Sequence, residues 1–435
     1  MKNNLSELLS QSLSTFQLEL IRLVAADATA LGLPLYIVGG FVRDILIGHG
    51  NLDIDLVVEG NAPKLARDLV EKYGGKVTVH SRFGTAKWDI RDSRIRTGNF
   101  LSNIDPPTLV PDFLDLVSAR SESYKSPASL PTVKMGKIED DLRRRDFTIN
   151  SLALRLDGPY FGELRNDHGG VEDLKLDLVR VLHNRSFIDD PTRMYRAVRY
   201  EKRFGLRIAD ETLALIPEAL GYVNKLSPQR IRHELDLILV EPNNAPILSR
   251  LAELGLLKPI HAALPWDESV RVRFQHKHQP ELLKGRNDER LTAWLIWLMA
   301  LSKKQIESLN KRLHFTAPLL KNLLSASQLF AGLGTFIDLK ASRCVEYLDE
   351  VPLQAVYAVF LSAPEGSSKH RLMKYLSEWR HVRPSITGHD LKKRGIPPGP
   401  VYQKVLRELR NAWLDDEVQN VEEEKDWLDA RLRRL

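Results

Sequence analysis

The chain has 435 residues and a formal net charge of +6, with 43% hydrophobic and 28% charged side chains, which excludes a predominantly disordered protein and predicts several packed units. Its single cysteine, Cys344, excludes an intramolecular disulfide framework and a cysteine-built zinc cluster, and reads as a small core residue in a reducing, cytoplasmic setting. The positive balance is a weak pointer to a polyanionic partner. The N-terminal stretch MKNNLSELLSQSLSTFQLELIRLV repeats its apolar residues at helical spacing, without the pattern of a signal peptide. No apolar run approaches the roughly 20 residues that cross a bilayer, so no membrane partner is expected. The first third then alternates strand-like and helical patterns: LYIVGG, FVRDILIG, DIDLVVEG, the helical APKLARDLVEKYG, KVTVHS, GTAKWDI and FLDLVSA. From about Ile138 onward the segments read as amphipathic helices, among them DDLRRRDFTINSLAL, DPTRMYRAVRYEKRFG, PQRIRHELDLILV, LTAWLIWLMALS and VYQKVLRELRNAW. The expected fold class is α+β, with the sheet confined to the first third and an all-helical remainder. DGPY, EPNNAP, the basic stretch Arg271 to Arg290 and SAPEGSSKH mark further subdivisions.

The chemistry concentrates in Gly39-Gly40-Phe41-Val42-Arg43-Asp44, followed by Asp53-Ile54-Asp55 and the apolar run Leu56 to Val58. In a strand, residues i and i+2 point to one face, so Asp53 and Asp55 project together while Ile54 faces the other way. Adjacent carboxylates repel unless a cation lies between them, and Mg²⁺ favours oxygen ligands shared with substrate phosphates. The pair is therefore a candidate for two-metal phosphoryl chemistry. Gly39 and Gly40, between a strand and a helix, let the backbone approach phosphates, and Arg43 is placed to pair with a phosphate oxygen. Asp115, within Phe113 to Val117, is the candidate third metal ligand; a hydrogen-bonded structural aspartate or a solvated one is the competing reading.

Joined to Arg144-Arg145-Asp146-Phe147-Thr148-Ile149-Asn150 and to Asp189-Asp190-Pro191-Thr192-Arg193-Met194-Tyr195-Arg196-Ala197-Val198-Arg199, these motifs make the chain resemble the class II tRNA nucleotidyltransferase and bacterial poly(A) polymerase family over roughly its first 240 residues. The resemblance implies a seahorse-like arrangement. Its parts are a polymerase-beta-like catalytic head over 1–155, a helical base-recognising neck over 156–245, and a helical body over 246–370 and tail over 371–435 that bind tRNA. It makes Asp53 and Asp55 catalytic metal ligands, with Asp115 as the candidate third. It also implies a nucleotide-binding set of Gly39, Gly40, Arg43, Arg145, Asp146, Asn150, Asp190, Arg193, Arg196 and Arg199, with Asp146 as acceptor for ribose hydroxyls. Without the family, RRRDF reads as a solvated helix face with a local ion pair.

In the family, Glu-Asp-x-x-Arg offers Watson–Crick-like hydrogen bonds to the incoming base, and Asp189-Asp190-Pro191-Thr192-Arg193 matches it with Asp189 in place of Glu. At i and i+3 of a helix, Asp190 and Arg193 would share a face; an N-capping Asp190 with Arg193 as its surface partner competes with this. Ser227 to Leu235 resembles the neck motif, with Gln229 where Glu is usual, and Arg230 and Glu234 are expected to brace it. Ala119 to Tyr124 through Leu130 to Val133 resembles the mobile loop region, and Ile386 to Leu391 through Gly395 to Pro400 more loosely resembles a bacterial tail that grips RNA. Arg271 to Arg290 and Lys369 to Arg383 are candidate phosphate-contacting stretches. The implied reaction is attack of a tRNA 3′-hydroxyl on the α-phosphate of CTP or ATP, with Mg²⁺ as cofactor, tRNA as partner and no protein partner expected. Full CCA addition ranks ahead of A addition, CC addition and poly(A) tailing. An RNA-binding protein that has lost catalysis and a small-molecule nucleotidyltransferase are the rival classes. The intact Asp53 and Asp55 argue against the first, and the long helical remainder against the second.

Overall fold

Strand periodicity, capping residues and paired glycines yield most of the elements expected of them in the computed structural model, which describes residues 4–49, 54–80, 84–97, 111–275, 279–283, 285 and 288–433. Helix α1 spans Ser6–Ser12, and α2 spans Thr15–Ala30 behind a reciprocal capping box of Ser14 and Gln17. Strand β1 (Leu35–Val38) turns at Gly39 into α3 (Gly40–Leu46); β2 (Asp55–Val58) leads to α4 (Ala62–Tyr73), capped by Asn61 with Pro63 in its first turn. Strands β3 (Gly74–His80) and β4 (Thr85–Ser93), the short α5 (Arg94–Thr97) and β5 (Phe113–Ser118) follow. The stretch expected as a mobile loop forms a hairpin of β6 (Arg120–Ser123) and β7 (Thr132–Met135).

The expected helix DDLRRRDFTINSLAL is corrected by the structure. Helix α6 stops at Arg143 (Ile138–Arg143), Phe147 is extended, Thr148–Asn150 make one 3-10 turn, and Ala153–Arg155 become β8. Asp146 explains much of this break: its Oδ1 accepts the N–H of Phe147 and the Asn150 side chain, local bonds that compete with a continuing helix. Beyond it, LALRL alternates as a strand does, and β8 pairs with β1. The remainder is helical apart from a few short strands. Strand β9 (Glu163–Arg165) extends the sheet, and after α7 (Gly170–Lys175) a small parallel pair joins β10 (Leu178–Val179) to β11 (Arg207–Ile208), flanking α8 (Ser186–Asp189) and α9 (Thr192–Phe204).

The main sheet has seven strands in the order β3-β4-β5-β2-β1-β8-β9, in which β2 and β5 are parallel and the other pairings antiparallel. Leu35, Ile37, Leu56, Val58, Leu114 and Leu116 belong to the core formed with α2, α3 and α4. On the opposite face, Tyr36, Val38, Val57 and Ala153 pack with Ile138 and Leu142 of α6. One face is thus broadly covered, and the other carries a much smaller cluster.

The chain divides into two compact units, 1–226 and 227–435, the boundary falling within the stretch expected as a neck. The second unit is helical among its described residues. Helix Glu289–Leu298, with Trp294 and Trp297 buried, packs on Leu353–Ser362 and Ala317–Ala331. Towards its C-terminus, Ile386, Leu391, Val405, Leu409 and Leu428 form a separate small core. No described helix is long and apolar enough to cross a membrane. Cys344 is buried, as a core residue should be.

Candidate active site

Strand register brings the first pair of site residues together. The parallel pairing of β2 with β5 sets Asp55 directly beside Asp115, and Lys87 of β4 lies on the other side of Asp115. Register partners on neighbouring strands are about 4.8 Å apart, so the two carboxylates stand on one face. Asp55 is exposed, and Asp115 is half-exposed with its Oδ2 at 3.8 Å from Lys87 Nζ. Such an exposed pair contributes little stability. Asp115 thus lies on a solvated face of β5, which is compatible with both the metal-ligand reading and the solvated alternative. Asp53 lies outside the described residues, and the described strand begins at Asp55. Among the described residues no cluster of three or more His, Cys, Asp or Glu forms a ready metal cage. The chemistry of Asp55 and Asp115, two neighbouring solvent-facing oxygen donors, fits a hard divalent cation that keeps part of its water shell.

Topology gathers the glycine turn to the same end of the sheet. Because β1 runs antiparallel to β2, the C-terminal end of β1 adjoins the N-terminal end of β2, and Gly39 follows directly. Gly39 has φ +69°, and a Cβ there would collide with Arg145 Nη1. Any side chain at this position would be both strained and obstructive. Arg145 thus passes over the turn. Its Nη2 donates to Asp141 Oδ2 at 2.8 Å, while its buried Nε has no hydrogen-bond partner. A buried orphan N–H on a guanidinium beside a side-chain-free turn suits an anionic ligand.

The RRD segment is not a solvated face. Asp141, fully buried, accepts Arg144 through Oδ1 at 2.9 and 2.7 Å and Arg145 through Oδ2, at the i,i+3 and i,i+4 spacings of a helix. Burial pushes the Asp141 carboxyl up, but the charges of Arg145 and Arg144 outweigh that and hold it below the usual range. Arg144 Nη1 also reaches Glu122 of β6 at 3.0 Å, tying the hairpin to this turn.

Asp146 is the hub of a second network. Its Oδ1 accepts Phe147 N–H and Asn150 Nδ2 at 2.9 Å each; its Oδ2 accepts Arg196 Nε at 2.8 Å and Nη2 at 2.5 Å. Desolvation works against its charge, yet Arg196, the Asn150 bond and the charge of Arg193 bring it down to about 2. Asn150 Oδ1 in turn accepts Arg43 Nη1 at 2.5 Å, and Arg43 donates twice to Asp44 Oδ1 at 2.8 and 2.7 Å. The Arg43 guanidinium lies over the rings of Phe204 and Tyr200 of α9, at 4.3 and 5.2 Å from their centroids. Arg43 is buried, and its Nε, Nη1 and Nη2 are engaged within the protein. A direct phosphate contact by Arg43 would have to displace one of these bonds. Arg199 is also buried, with its guanidinium beside Tyr200.

At the start of α9 the arrangement departs from the i,i+3 picture. Asp190 sits in the break between α8 and α9, where its Oδ1 accepts the N–H and hydroxyl of Thr192 at 3.0 and 2.6 Å. That is a capping role, as the competing reading expects. Arg193, however, is buried rather than on the surface: Nη1 donates to Ser186 Oγ at 2.7 Å and Nη2 to the Arg144 carbonyl at 2.9 Å. The phenol of Tyr124, on the hairpin, is pushed up to about 12 mainly by burial and lies within electrostatic reach of Arg193 and Asp190.

Sequence reasoning missed Asp141, Glu122, Tyr124, Ser186 and the Phe204–Tyr200 platform. Only Asp141 carried a clear signal, its spacing to Arg144 and Arg145. The cationic stretches are less available than expected. Arg271 pairs with Glu268, Arg273 is buried against the Ile296 carbonyl, Lys369 pairs with Glu365, and Arg380 donates to the Leu282 and Leu376 carbonyls. Residues 276–278, 284, 286 and 287 of the first stretch lie outside the described residues.

Comparison with known proteins places this geometry among others. A family profile described as the poly A polymerase head domain matches residues 35–180, and one described as a probable RNA and SrmB-binding site of polymerase A matches 205–265. The A-adding tRNA nucleotidyltransferase of Halalkalibacterium halodurans is 31% identical over 422 residues, 93% of this chain and 90% of that one. The enzyme of the same description from Geobacter sulfurreducens is 32% identical over 415 residues, 91% of this chain but 44% of its own length, so the chain spans under half of that relative. A CC-adding tRNA nucleotidyltransferase of Deinococcus radiodurans is 38% identical over 208 residues, 48% of this chain and 50% of its own, and other relatives are described as CCA-adding enzymes. A solved CCA-adding enzyme in an apo form superposes with a TM-score of 0.80 at 30% identity, over 98% of this chain and 99% of that one.

Proposed function

Because the chain belongs to the tRNA nucleotidyltransferase and poly(A) polymerase family, we propose that it adds CMP and AMP from CTP and ATP to the 3′ end of tRNA without a nucleic-acid template. The observation that carries this reading is the convergence, at one end of the sheet, of the Asp55–Asp115 pair and the Gly39 turn under Arg145. The 3′-hydroxyl oxygen bonds to the α-phosphorus as the bond to the β-phosphate bridging oxygen breaks, releasing pyrophosphate.

Enzymes of this family generally use divalent metal ions. Asp55 and Asp115, with Asp53, are the residues that would hold Mg²⁺, which when bound would acidify the attacking hydroxyl and stabilise the leaving pyrophosphate. The remaining work falls to this chain's own groups. The side-chain-free Gly39–Gly40 turn and the orphan Nε of Arg145 would receive the triphosphate. Asp146, ionised and fixed by Arg196, would accept a ribose 2′-hydroxyl by exchanging one of its present donors. Arg193 and Asp190 would face the base, replacing a template strand with hydrogen-bonding side chains. Arg43 and Asn150 would hold Asp146 in position, with Arg199 beside them. The head, neck, body and tail division at 1–155, 156–245, 246–370 and 371–435 belongs to this reading, as do tRNA contacts in the helical second unit and a cytoplasmic location.

A second reading, A addition alone, is favoured by one observation: two relatives matched over more than nine-tenths of this chain are described as A-adding. Purified protein offered tRNA lacking one, two or three terminal residues, with CTP and ATP supplied separately, tests both. Incorporation of C onto tRNA lacking CCA supports full CCA addition. Incorporation of A onto tRNA ending in CC, with none from CTP on any end, supports the second reading and rejects the first.

A further inference from the structure

Buried guanidinium groups ordinarily take a carboxylate across their fork, which satisfies paired donors and neutralises the charge together. Arg193, only 5% exposed, is held differently. Each terminal nitrogen donates to a neutral acceptor, Nη1 to the Ser186 hydroxyl and Nη2 to the Arg144 carbonyl. The neighbouring carboxylates are engaged elsewhere: Asp190 Oδ1 accepts from Thr192, and Asp189 Oδ1 lies 3.9 Å from Arg185 Nε.

Ser186 is built to hold its oxygen still. The residue is fully buried in the first turn of α8, its N–H donates to the His183 carbonyl at 3.1 Å, and its own carbonyl accepts the Asp190 N–H at 3.1 Å. Its hydroxyl oxygen is therefore delivered from a fixed backbone. A guanidinium carries two hydrogens on each terminal nitrogen. One neutral acceptor on each nitrogen fixes the plane of the group and leaves its charge and further N–H donors in place. A carboxylate at position 186 would instead bridge the fork and consume the donors that a base edge needs.

We propose that Ser186 is the positioning residue for base selection: its hydroxyl, with the Arg144 carbonyl, sets the plane in which Arg193 meets the incoming base. This rests on the reading of Arg193 as the base-facing group. It also makes the RRD segment a partner in selectivity through the backbone of Arg144, independently of its side chain.

The test uses the full chain and tRNA ending in CC, with kcat/KM for ATP and for CTP measured for wild type and for Ser186→Ala, Ser186→Cys and Ser186→Thr, and unfolding midpoints recorded in parallel. Cysteine is nearly isosteric with serine but a weak acceptor; threonine keeps the hydroxyl. Loss of a hydrogen bond to a charged group predicts that the ATP-to-CTP ratio falls at least about tenfold in Ser186→Ala and Ser186→Cys, and stays within about threefold of wild type in Ser186→Thr. A selective wild type whose ratio is unchanged in folded Ser186→Ala and Ser186→Cys overturns the role of Ser186 alone. A wild type that incorporates nucleotide without distinguishing ATP from CTP on this end overturns the reading of Arg193, and this proposal with it. A wild type that incorporates neither nucleotide on any tRNA end overturns the proposed function itself.

Discussion

The two charged regions at the end of the main sheet are built from similar residues and treated in opposite ways. Asp55 and Asp115 stand beside each other towards solvent, with Lys87 at 3.8 Å from Asp115. Asp146, Arg196, Asn150, Arg43 and Asp44 form a hydrogen-bonded chain, most of it buried, that ends on the aromatic rings of α9. The first region faces solvent and stays open to a ligand; in the second the protein's own side chains enclose and pair the charges. Groups of the first kind should govern turnover with little effect on stability, and groups of the second kind should govern both.

The largest expected effect breaks the comparison at its open side. Asp55→Ala should lower single-turnover incorporation at least a hundredfold, about 3 kcal/mol or more in the barrier, because even partners of metal ligands cost 10- to 100-fold when removed. Its unfolding free energy should stay within about 0.5 kcal/mol of wild type, as for other exposed positions. A denaturant titration alongside the rate assay checks both halves.

On the closed side, Asp146→Ala leaves the Arg196 fork without its carboxylate. Breaking a fully buried pair costs about 3–5 kcal/mol; with Arg196 partly open to water, a loss of about 2–3 kcal/mol is expected in urea unfolding. A milder probe of the same group is pH. With a folded value of about 2 against about 3.9 unfolded, Asp146 contributes stability that is fully present above pH 4 and is lost as pH falls from about 4 to 2. The contribution is about 2 kcal/mol, and in Asp146→Asn this part of the acid dependence should disappear. Smallest is Arg43→Lys, which keeps the charge but loses the planar fork to Asp44 and the face-on contact with Phe204. About 1 kcal/mol of stability should go, with KM for nucleotide rising more than kcat falls.

The contrast between the two regions also marks what the sequence could say. The open side was partly legible because its chemistry is local: two glycines at a strand end and an aspartate on a neighbouring strand point to it, and the β2–β5 register sets Asp55 beside Asp115, while the expected pairing of Asp53 with Asp55 involves a residue outside those described. The cap at Asp190 was among the sequence alternatives for the same reason. On the closed side the resemblance named most of the residues, but their pairings were not legible, because the partners are distant in the chain. Nothing near Arg43 announces Asn150, Tyr200 or Phe204, and nothing near Arg144 announces Glu122. The continuous helix expected through the RRD segment misled for a related reason. Its charges fit a solvated helix, and only its tertiary partners show why the helix ends at Arg143 and the chain returns to the sheet as β8. Ser186 carried no signal, since a serine opening a short helix is ordinary until Arg193 is seen bonded to it.

The central claim is that the Asp55–Asp115 edge holds the catalytic cation, and the Mg²⁺ dependence of nucleotide incorporation into tRNA, compared between wild type and Asp115→Asn, tests it most directly. Wild type should be inactive in chelator and activated by added Mg²⁺, while Asp115→Asn, with an unchanged unfolding midpoint, should need at least about tenfold more Mg²⁺ for half-maximal rate. Superimposable Mg²⁺ curves for the two proteins would contradict the account.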